Sequence, residues 1–534
     1  LACSRGQVDQ PVMIRVLKRF ISDYAEKSGG LTVTPVEKTK QERIAIVGSG
    51  PAGLTAAHDL ALKGYPVTVF ESLPVAGGTL AVGIPDYHLP KEALRRDIDA
   101  ILALGIELKL NTPVKKLDDL FDQGYKAIFV AVGTQVSGRL NIAGEDGPGV
   151  FHALEFLKAV NLGEKVAVGE RVVVVGGGNV AIDAARAALR LKAKKVELVC
   201  LESRPEMPAF ESGIRAAAEE GIGLNCSWGV KRLMGEGKLT GIETMRCTSV
   251  FDDQKRFRPT FDESITTLFP ADTVILAIGQ VAKVPEDFQL HSGRGGTIPV
   301  DPVTLSTERP GVFAGGDVTT GPLDVVHAVG AGHRAALSID RYVRGEDLKA
   351  EGVAPLPVVK FTQEELDGRV EQGEITLRPQ PEEPTLPMAE RKTTFEEVDL
   401  GLSEEDAVAE AKRCLSCGLC SECKLCVSAC LRGAVLHEER DREEKLQVGA
   451  VLLAPGFSLY DARLSQEFGF GRYPNVVTSL QFERLLSASG PTQGHVHRPS
   501  DSAPPKKVAF LQCVGSRDQK HPYCSSVCCM YATK

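Results

Sequence analysis

The chain has 534 residues, 43% hydrophobic and 25% charged, which is enough for roughly two to four globular domains. The net charge of −8 gives no reason to expect nucleic-acid binding or attraction to a membrane surface. No stretch reaches the roughly eighteen uncharged apolar residues of a membrane span. Ten of the fourteen cysteines lie in two tight groups, which favours reduced thiolates that bind metal, so we expect a cytoplasmic protein. The opening residues 1–5 are neither a signal peptide nor a natural start, so we expect a fragment cut at both ends.

The first glycine-rich motif follows an apolar run at 44–47, after a helix-period pattern at 11–20. One glycine permits the tight turn, one lets backbone amides approach a pyrophosphate, and one allows close helix–strand contact. A helix over 54–63 would place the phosphates at its N-terminus, and Glu71 ends the next strand, where it suits ribose hydroxyls. The motif residues of this predicted dinucleotide site are Gly48, Ser49, Gly50, Pro51, Ala52 and Gly53.

Residues 171–203 repeat this strand–turn–helix–strand unit and predict a second dinucleotide site. Its candidate binding residues are Gly176, Gly178, Asn179, Val180, Ala181 and Glu202. Three further apolar runs end in glycine, as expected for buried strands that stop at a ligand, at Gly133, Gly279 and Gly316. The order predicts an α/β fold of two Rossmann-like domains, one inserted in the other, with 43–150 and 286–345 flanking 151–285.

Residues 346–405 are rich in proline and glutamate and are predicted to be a linker. Ser403 resembles the start of a capping box, opening a helix that delivers Cys414. Residues 406–440 are predicted to be a ferredoxin-like iron–sulfur segment, and an apolar run at 448–453 is predicted to be a strand.

The cysteine spacing C-x2-C-x2-C-x3-C is that of a 4Fe–4S loop, and its members are Cys420, Cys423, Cys426 and Cys430. Cys414 and Cys417 are surplus to one cluster and are candidates for a second, which Cys430 would also suit. Zinc is the competing interpretation, because C-x2-C pairs also suit tetrahedral zinc. Six cysteines without histidine beside two nucleotide folds favour iron–sulfur.

The residues around the first site resemble the FAD site of glutamate synthase small subunits, notably residues 77–80, 83–91 and 315–317. The resemblance implies FAD contacts by Gly78, Leu80, Gly316 and Asp317, the last near the ribityl–phosphate region. Asp317 is also a candidate helix N-cap, and both roles can hold at once. His88 stands where that family usually has arginine.

Residues 206–209 match the downstream marker of the same family's nicotinamide-nucleotide domain. Members that use NADPH carry adjacent arginines where this chain has Leu201 and Glu202. A carboxylate suits a free 2′-hydroxyl and repels a 2′-phosphate, so we favour NADH within an NAD(P)H site. Arg204 remains a candidate phosphate ligand.

The two ends of the chain carry further resemblances. Cys3 matches the last cysteine of the amino-terminal iron–sulfur domain of glutamate synthase small subunits, so residues 1–42 are expected to be its remnant. Residues 441–534 resemble the flavin-bearing A subunit of heterodisulfide reductases, although that family's own dinucleotide fingerprint is missing upstream. The four cysteines that hold another 4Fe–4S cluster there correspond to Cys513, Cys524, Cys528 and Cys529.

Together these resemblances imply an oxidoreductase that passes electrons from NAD(P)H through FAD to 4Fe–4S clusters, and then to partner subunits or ferredoxin. No side chain is predicted to be catalytic, because the cofactors carry the chemistry. The alternative is a glutamate synthase small subunit that serves a large amidotransferase subunit. A disulfide reductase is disfavoured because the nucleotide region holds only single, separated thiols, namely Cys200, Cys226 and Cys247.

Overall fold

The computed structural model describes residues 3–30, 33–235, 237–349, 361–417, 434–435, 445–456, 458–519, 521–524 and 528–533. The strands among these residues are β1 (Arg43–Val47), β2 (Val67–Phe70), β3 (Glu107–Lys109), β4 (Tyr125–Val130), β5 (Val136–Ser137), β6 (Val150–His152), β7 (Arg171–Val175), β8 (Lys195–Cys200), β9 (Gly223–Cys226), β10 (Trp228–Met234), β11 (Gly241–Phe251), β12 (Phe257–Pro270), β13 (Thr273–Leu276), β14 (Gln280–Val281) and β15 (Val312–Ala314). The helices are α1 (Ile14–Lys27), α2 (Pro51–Leu62), α3 (Thr79–Val82), α4 (Lys91–Leu102), α5 (Asp118–Asp122), α6 (Ala153–Asn161), α7 (Asn179–Arg190), α8 (Glu211–Glu219), α9 (Asp317–Thr320), α10 (Val325–Val343), α11 (Gln363–Glu371), α12 (Met388–Arg391), α13 (Glu404–Ala411), α14 (Ser479–Leu486) and α15 (Cys528–Thr533).

The first nucleotide sheet has the order β15-β4-β1-β2-β3, and all its strands are parallel. Val47, Val130 and Ala314 lie side by side where three of these strands end, because Val130 pairs with both of the others. Strand β15 follows the second nucleotide sheet in the chain but joins the first. The expected insertion of one Rossmann-like unit in another is therefore confirmed.

The second nucleotide sheet has the order β6-β13-β7-β8-β9 and is also parallel. An antiparallel sheet of β10, β11 and β12 accompanies it. The chain passes between the two nucleotide domains through β5 and β14, which pair with each other antiparallel. Both crossings between the domains therefore lie side by side.

Strand β1 is buried on both faces, as a parallel strand covered by helices must be. Ile44 and Ile46 pack in a cluster with residues of α2 and α10. Ala45 and Val47 point to the opposite face, where they pack with Phe288 and other apolar residues. This alternation explains why the run carries no polar residue after Arg43.

The predicted elements agree with the structure to within a few residues where the signal is local. Helix α2, which follows the first fingerprint, begins at Pro51 and so starts earlier than expected. Proline is tolerated there because the N–H that it lacks has no partner within the first helical turn. Ser403 caps α13 as predicted, since its hydroxyl accepts a hydrogen bond from the Asp406 N–H at 3.1 Å. The strand predicted at 448–453 is wrong: residues 445–456 form no strand there, and Leu452 is 93% exposed.

The chain divides into two compact units, residues 1–435 and 436–534. In the second unit, a capping box between Thr478 and Gln481 opens α14. Phe482 of this helix packs edge-on against Phe510, with ring centroids 5.6 Å apart. Within the described residues, none of the helices combines the length and apolar character that crossing a bilayer requires.

Candidate functional site

The first fingerprint forms a turn that leaves one face open. Gly48 has a φ of +106°, and a Cβ there would lie 2.4 Å from the Ala131 carbonyl oxygen. A Cβ on Gly53 would lie 2.0 Å from the Gly48 carbonyl oxygen, which confirms the close helix–strand contact. By contrast, nothing lies within 4 Å of a Cβ built on Gly50. That open face at the N-terminus of α2 suits a pyrophosphate.

Glu71 ties the fingerprint turn to the end of β2. Its Oε2 accepts hydrogen bonds from the Ser49 N–H at 3.0 Å and the Ser49 hydroxyl at 2.6 Å. Its Oε1 accepts from the Leu73 N–H at 2.8 Å. The Ser72 hydroxyl also donates to Oε1, at 3.1 Å. These four hydrogen bonds use both lone pairs of each oxygen, so a ribose hydroxyl would bind Glu71 in place of a serine hydroxyl.

The loops predicted to line the flavin site converge on this turn. A Cβ on Gly78 would lie 2.9 Å from the Gly50 Cα, and one on Gly316 would lie 3.1 Å from the Ala52 Cβ. Gly133 follows β4 in the same sheet. Leu80 is half-buried beside the helix that the turn opens, in a cluster that contains Leu54.

Asp317 is the first residue of α9, and Gly316 occupies the N-cap position, so the predicted N-cap role is wrong. The Asp317 carboxylate accepts a hydrogen bond from the Leu323 N–H at 3.3 Å. Burial raises the pKa of this carboxyl. A half-buried acid with one internal partner beside Gly316 is suited to a polar group of the flavin.

The second fingerprint repeats the geometry of the first. A Cβ on Gly176 would lie 2.2 Å from the Ala277 carbonyl oxygen, whereas no atom lies within 4 Å of a Cβ built on Gly178. Ala181 is fully buried against the sheet, and Val180 beside it is partly buried. The Asn179 side-chain oxygen accepts from the Phe210 N–H at 2.9 Å and so holds the 206–210 segment against the turn. Gly279 follows β13, the strand next to β7.

Glu202 lies at the expected ribose position after β8. Its Oε2 is 2.7 Å from a Cβ built on Gly177, so the carboxylate reaches the fingerprint turn. Arg204 is turned to Glu211, with an N–O distance of 2.7 Å. The carboxylate is therefore at the turn, whereas the Arg204 guanidinium group, two positions further along the chain, is paired with Glu211.

Cys414 and Cys417 follow α13 and lie beside the amino-terminal segment. The Cys417 thiol is 3.3 Å from the Ser4 hydroxyl, and Cys3 Sγ accepts from the Val12 N–H at 3.5 Å. The Ser416 N–H donates to Cys414 Sγ at 3.3 Å. Cysteines from the beginning and the end of the first compact unit thus lie in one neighbourhood, which sequence reasoning did not predict.

The remaining predicted ligands fall into two groups. Cys420, Cys423, Cys426 and Cys430 lie outside the described residues. In the second unit, the neighbouring Cys528 thiol is the main cause that raises the pKa of Cys529, and Cys513 and Cys524 add to it. Among the residues that the structure describes, no group of three or more His, Cys, Asp or Glu side chains is arranged as a metal site.

Sequence reasoning also missed a buried group between the nucleotide domains, formed by Tyr87, Arg186, Arg190 and Glu220. The four-residue spacing of the two arginines on α7 places them on one helix face, which is the only local signal. His88, next to Tyr87, contacts Asp183 with an N–O distance of 3.4 Å. That hydrogen bond is the main cause that raises the pKa of His88.

This fold and its two open glycine turns define a class of protein that binds two dinucleotides on adjacent parallel sheets. The chain belongs to the family described as pyridine nucleotide-disulphide oxidoreductase, whose model matches residues 42–332. This membership supports the expected class, an NAD(P)H-dependent flavin oxidoreductase with FAD and NAD(P)H as its nucleotides.

Two relatives support this assignment. The NADP(+)-dependent formate dehydrogenase subunit beta of Moorella thermoacetica is 42% identical over 78% of this chain and 63% of its own length. The glutamate synthase [NADPH] small chain of Escherichia coli is 34% identical over 63% of this chain and 76% of its own. The expected relationship to glutamate synthase small subunits is therefore confirmed, and the chain spans less than two thirds of the formate dehydrogenase subunit.

Among solved structures, FprA of Mycobacterium tuberculosis in complex with NADPH has the same fold over 57% of this chain and 85% of its own. The TM-score is 0.51 and the identity 19%, so this likeness concerns the fold alone. The resemblance of residues 441–534 to heterodisulfide reductase A subunits stays a prediction.

Proposed function

We propose that this chain is an electron-input subunit that oxidises NADH and delivers electrons through FAD and 4Fe–4S clusters to a partner protein. The observation that carries the proposal is the pair of open glycine turns, at Gly50 and Gly178, in one compact unit with Cys414 and Cys417. A dinucleotide on each turn places a two-electron donor and a flavin in one unit. The cysteines beside them suit carriers of single electrons.

The FAD site of this proposal is formed by residues 43–150 and 286–345. The backbone amides after Gly50 would hold the pyrophosphate, and Glu71 would accept hydrogen bonds from the ribose. Gly78 and Gly316 leave room at the turn, and Asp317 would meet a polar group of the cofactor. Bound FAD supplies the chemistry that links a hydride donor to one-electron acceptors.

Residues 151–285 would hold the nicotinamide nucleotide. The N-terminus of α7 at Gly178 would receive its pyrophosphate, and Asn179 keeps the neighbouring 206–210 segment in place. Glu202 would accept a hydrogen bond from a free 2′-hydroxyl, whereas a 2′-phosphate would meet a like charge. The proposal therefore assigns NADH to this chain, although the names of both relatives specify NADP(H).

Three groups of cysteines would hold the clusters. Cys420, Cys423, Cys426 and Cys430 have 4Fe–4S spacing, Cys414 and Cys417 are candidates for a second cluster, and the third group is Cys513, Cys524, Cys528 and Cys529. The partner would be a protein, either another subunit or a ferredoxin. The formate dehydrogenase relative carries the name of a subunit, which supports the first choice.

A second candidate function is that of a glutamate synthase small subunit, and the 34% identity to the Escherichia coli protein supports it. The two candidates share the electron input and differ only in the acceptor.

Anaerobic titration of the reconstituted chain with NADH, and separately with NADPH, tests the proposal. We expect NADH to bleach the flavin absorbance and then to produce the EPR signal of reduced clusters in the same sample. Flavin that neither nucleotide bleaches contradicts the electron input. Bleached flavin without a cluster signal contradicts the onward path.

A further inference from the structure

Residues 384–400 form a loop that folds back over the place where the two nucleotide domains meet. The ends of this loop pair with each other, since the Leu386 N–H donates to the Val398 carbonyl at 2.9 Å. The Leu400 N–H likewise donates to the Pro384 carbonyl at 2.8 Å. We call residues 384–400 the strap. Composition alone predicts a linker here, but the two ends of the strap are hydrogen-bonded to each other.

On the flavin-domain side the strap contacts Tyr87, which is only 1% exposed. The Val398 N–H donates to the Tyr87 carbonyl at 3.0 Å, and the Phe395 ring lies 6.2 Å from the Tyr87 ring. The Tyr87 hydroxyl in turn donates to the carbonyl of Asp183 in α7, at 3.1 Å. A single side chain of the flavin domain thus touches the strap and the second domain.

On the other side, α7 presents Arg186 and Arg190 to the same ring. Their guanidinium carbons lie 4.7 and 4.0 Å from the centre of the Tyr87 ring, a cation–π arrangement. Both groups donate to the Glu220 carboxylate, at 2.7 and 2.8 Å. The Arg190 Nε donates to the carbonyl of Thr394 in the strap, at 2.9 Å.

This network depends on the strap because its charges are cut off from water. The Arg190 and Glu220 side chains are 0% exposed, so each polar atom needs a partner within the protein. If the strap moved away, Arg190 would lose the Thr394 carbonyl and the Tyr87 carbonyl would lose its donor. A second ion pair, from Arg391 to Glu219 at 2.7 Å, holds the strap at its outer side.

The other links between the domains form a hinge. Strands β5 and β14 pair through Val136 with Val281 and Ser137 with Gln280, so the two chain crossings run together. Further side-chain contacts join the domains, among them His88 with Asp183, at an N–O distance of 3.4 Å, and Asn161 of α6 with the Val82 carbonyl of α3, at 2.9 Å. Two adjacent crossings resist separation of the domains but not rotation about their common line. The strap attaches the two domains at Tyr87 and Arg190, away from the β5–β14 pair, and so opposes that rotation.

We propose that the strap fixes the angle between the FAD domain and the nicotinamide domain, with Tyr87 and Arg190 as positioning residues. This inference rests on the proposed function, because the angle matters only when both turns hold nucleotides in one turnover. A misplacement of about 1 Å between reacting groups costs up to roughly 100-fold in rate. The strap would therefore govern the rate of flavin reduction rather than nucleotide affinity.

The test is the double variant Arg391→Gln, Phe395→Ala in the full chain. Arg391 holds the strap through Glu219 and Phe395 holds it through the Tyr87 ring, and neither substitution removes the buried Arg190–Glu220 pair. Arg369→Gln, which removes an ion pair with Glu374 outside the strap, is the matched control. The rescue variant is Arg391→Lys with Phe395 unchanged, which keeps a positive charge opposite Glu219 and the ring beside Tyr87. Three readouts are compared: hydrogen exchange, nucleotide affinity, and flavin reduction by saturating NADH in stopped flow.

In the double variant we expect faster hydrogen exchange at residues 83–90 and 183–190, with β1 and β7 unchanged. Flavin reduction should slow by about tenfold or more while nucleotide affinity stays within about twofold, and the rescue variant should recover the rate. Unchanged reduction, or a loss of affinity as large as the loss of rate, overturns the inference. If the parent chain is not reduced by either nucleotide, the proposed function fails. Unchanged hydrogen exchange at residues 83–90 in the double variant overturns the inference about the strap, whatever the outcome for the proposed function.

Discussion

Gly50 and Gly53 of the first fingerprint are glycines for opposite reasons. Gly53 faces protein, because a Cβ there would lie 2.0 Å from the Gly48 carbonyl oxygen. Gly50 faces open space, and its φ of −70° is accessible to any residue. One glycine therefore serves folding, whereas the other serves the ligand.

Alanine at each position separates these roles. We expect Gly53→Ala to lower the free energy of unfolding by about 1–3 kcal/mol, because the helix must move away from β1. Gly50→Ala should leave the melting temperature of the FAD-free chain nearly unchanged but reduce FAD content, because the methyl group occupies the pyrophosphate space. Thermal unfolding by circular dichroism and flavin absorbance of the purified protein measure both. Equal FAD content in Gly50→Ala and the parent contradicts this assignment.

Glu202 and Glu211 allow a similar separation at the ribose end of the second site. Glu202→Gln removes the like charge near a 2′-phosphate, so kcat/KM for NADPH should rise by about tenfold or more relative to NADH. Glu211→Gln frees Arg204 from its ion pair. If only this second variant raises kcat/KM for NADPH, Arg204 is the residue that binds the 2′-phosphate, and the assignment to Glu202 is wrong. Steady-state kinetics with both nucleotides distinguish the two.

At the scale of elements, α7 contacts the end of α8 through Glu220, whose carboxylate accepts hydrogen bonds from Arg186 and Arg190 of α7. Burial alone would raise the pKa of this carboxyl, but the hydrogen bonds from Arg190 and Arg186 outweigh burial and lower the pKa. Glu220→Gln leaves two buried cations without their anion. We expect the first unit to lose about 3–5 kcal/mol of unfolding free energy in denaturant titrations.

The same carboxylate makes stability depend on pH in a defined direction. Because its pKa is lower in the folded than in the unfolded chain, its stabilisation is complete above the unfolded value of 4.5 and is lost as pH falls further. Unfolding titrations below about pH 4.5 should therefore show a shallower pH dependence in Glu220→Gln than in the parent. The exposed Glu211→Gln should change the stability far less and retain more of the slope, because solvent screens its ion pair with Arg204.

Elements whose signals are local were predictable, and those that depend on distant partners were not. The turn at Gly176 and helix α7 follow from a few adjacent residues, so the pattern of residues 171–203 was enough to predict both. The strap has a linker's composition, yet Arg190 and Thr394, 204 positions apart, decide its structure. Residues 448–453 show the converse, since an apolar run forms a strand only where another strand pairs with it.

At the scale of the whole chain, residues from the beginning and the end of the first compact unit form a buried ion network. Arg413 donates to Asp9 at 2.8 Å and to Glu410 at 2.8 Å, and Arg5 donates to Asp9 at 2.7 Å. Nothing local in the sequence relates positions about 400 apart. This network holds the amino-terminal segment against α13 and so brings Cys3 toward Cys417.

The cysteine groups lead to a prediction about the path of electrons through the chain. Cys423→Ser should abolish one reduced-cluster EPR signal and lower the iron content by about four atoms per chain, the content of one cluster. Bleaching of flavin by NADH should persist, because the glycine turns are not altered. Cys200→Ser is the matched control, because this thiol is buried in the apolar cluster of the second nucleotide sheet and belongs to none of the three cysteine groups. Iron analysis and EPR of reconstituted protein check this assignment, and equal iron in both variants contradicts it. Zinc in place of iron supports the competing tetrahedral site.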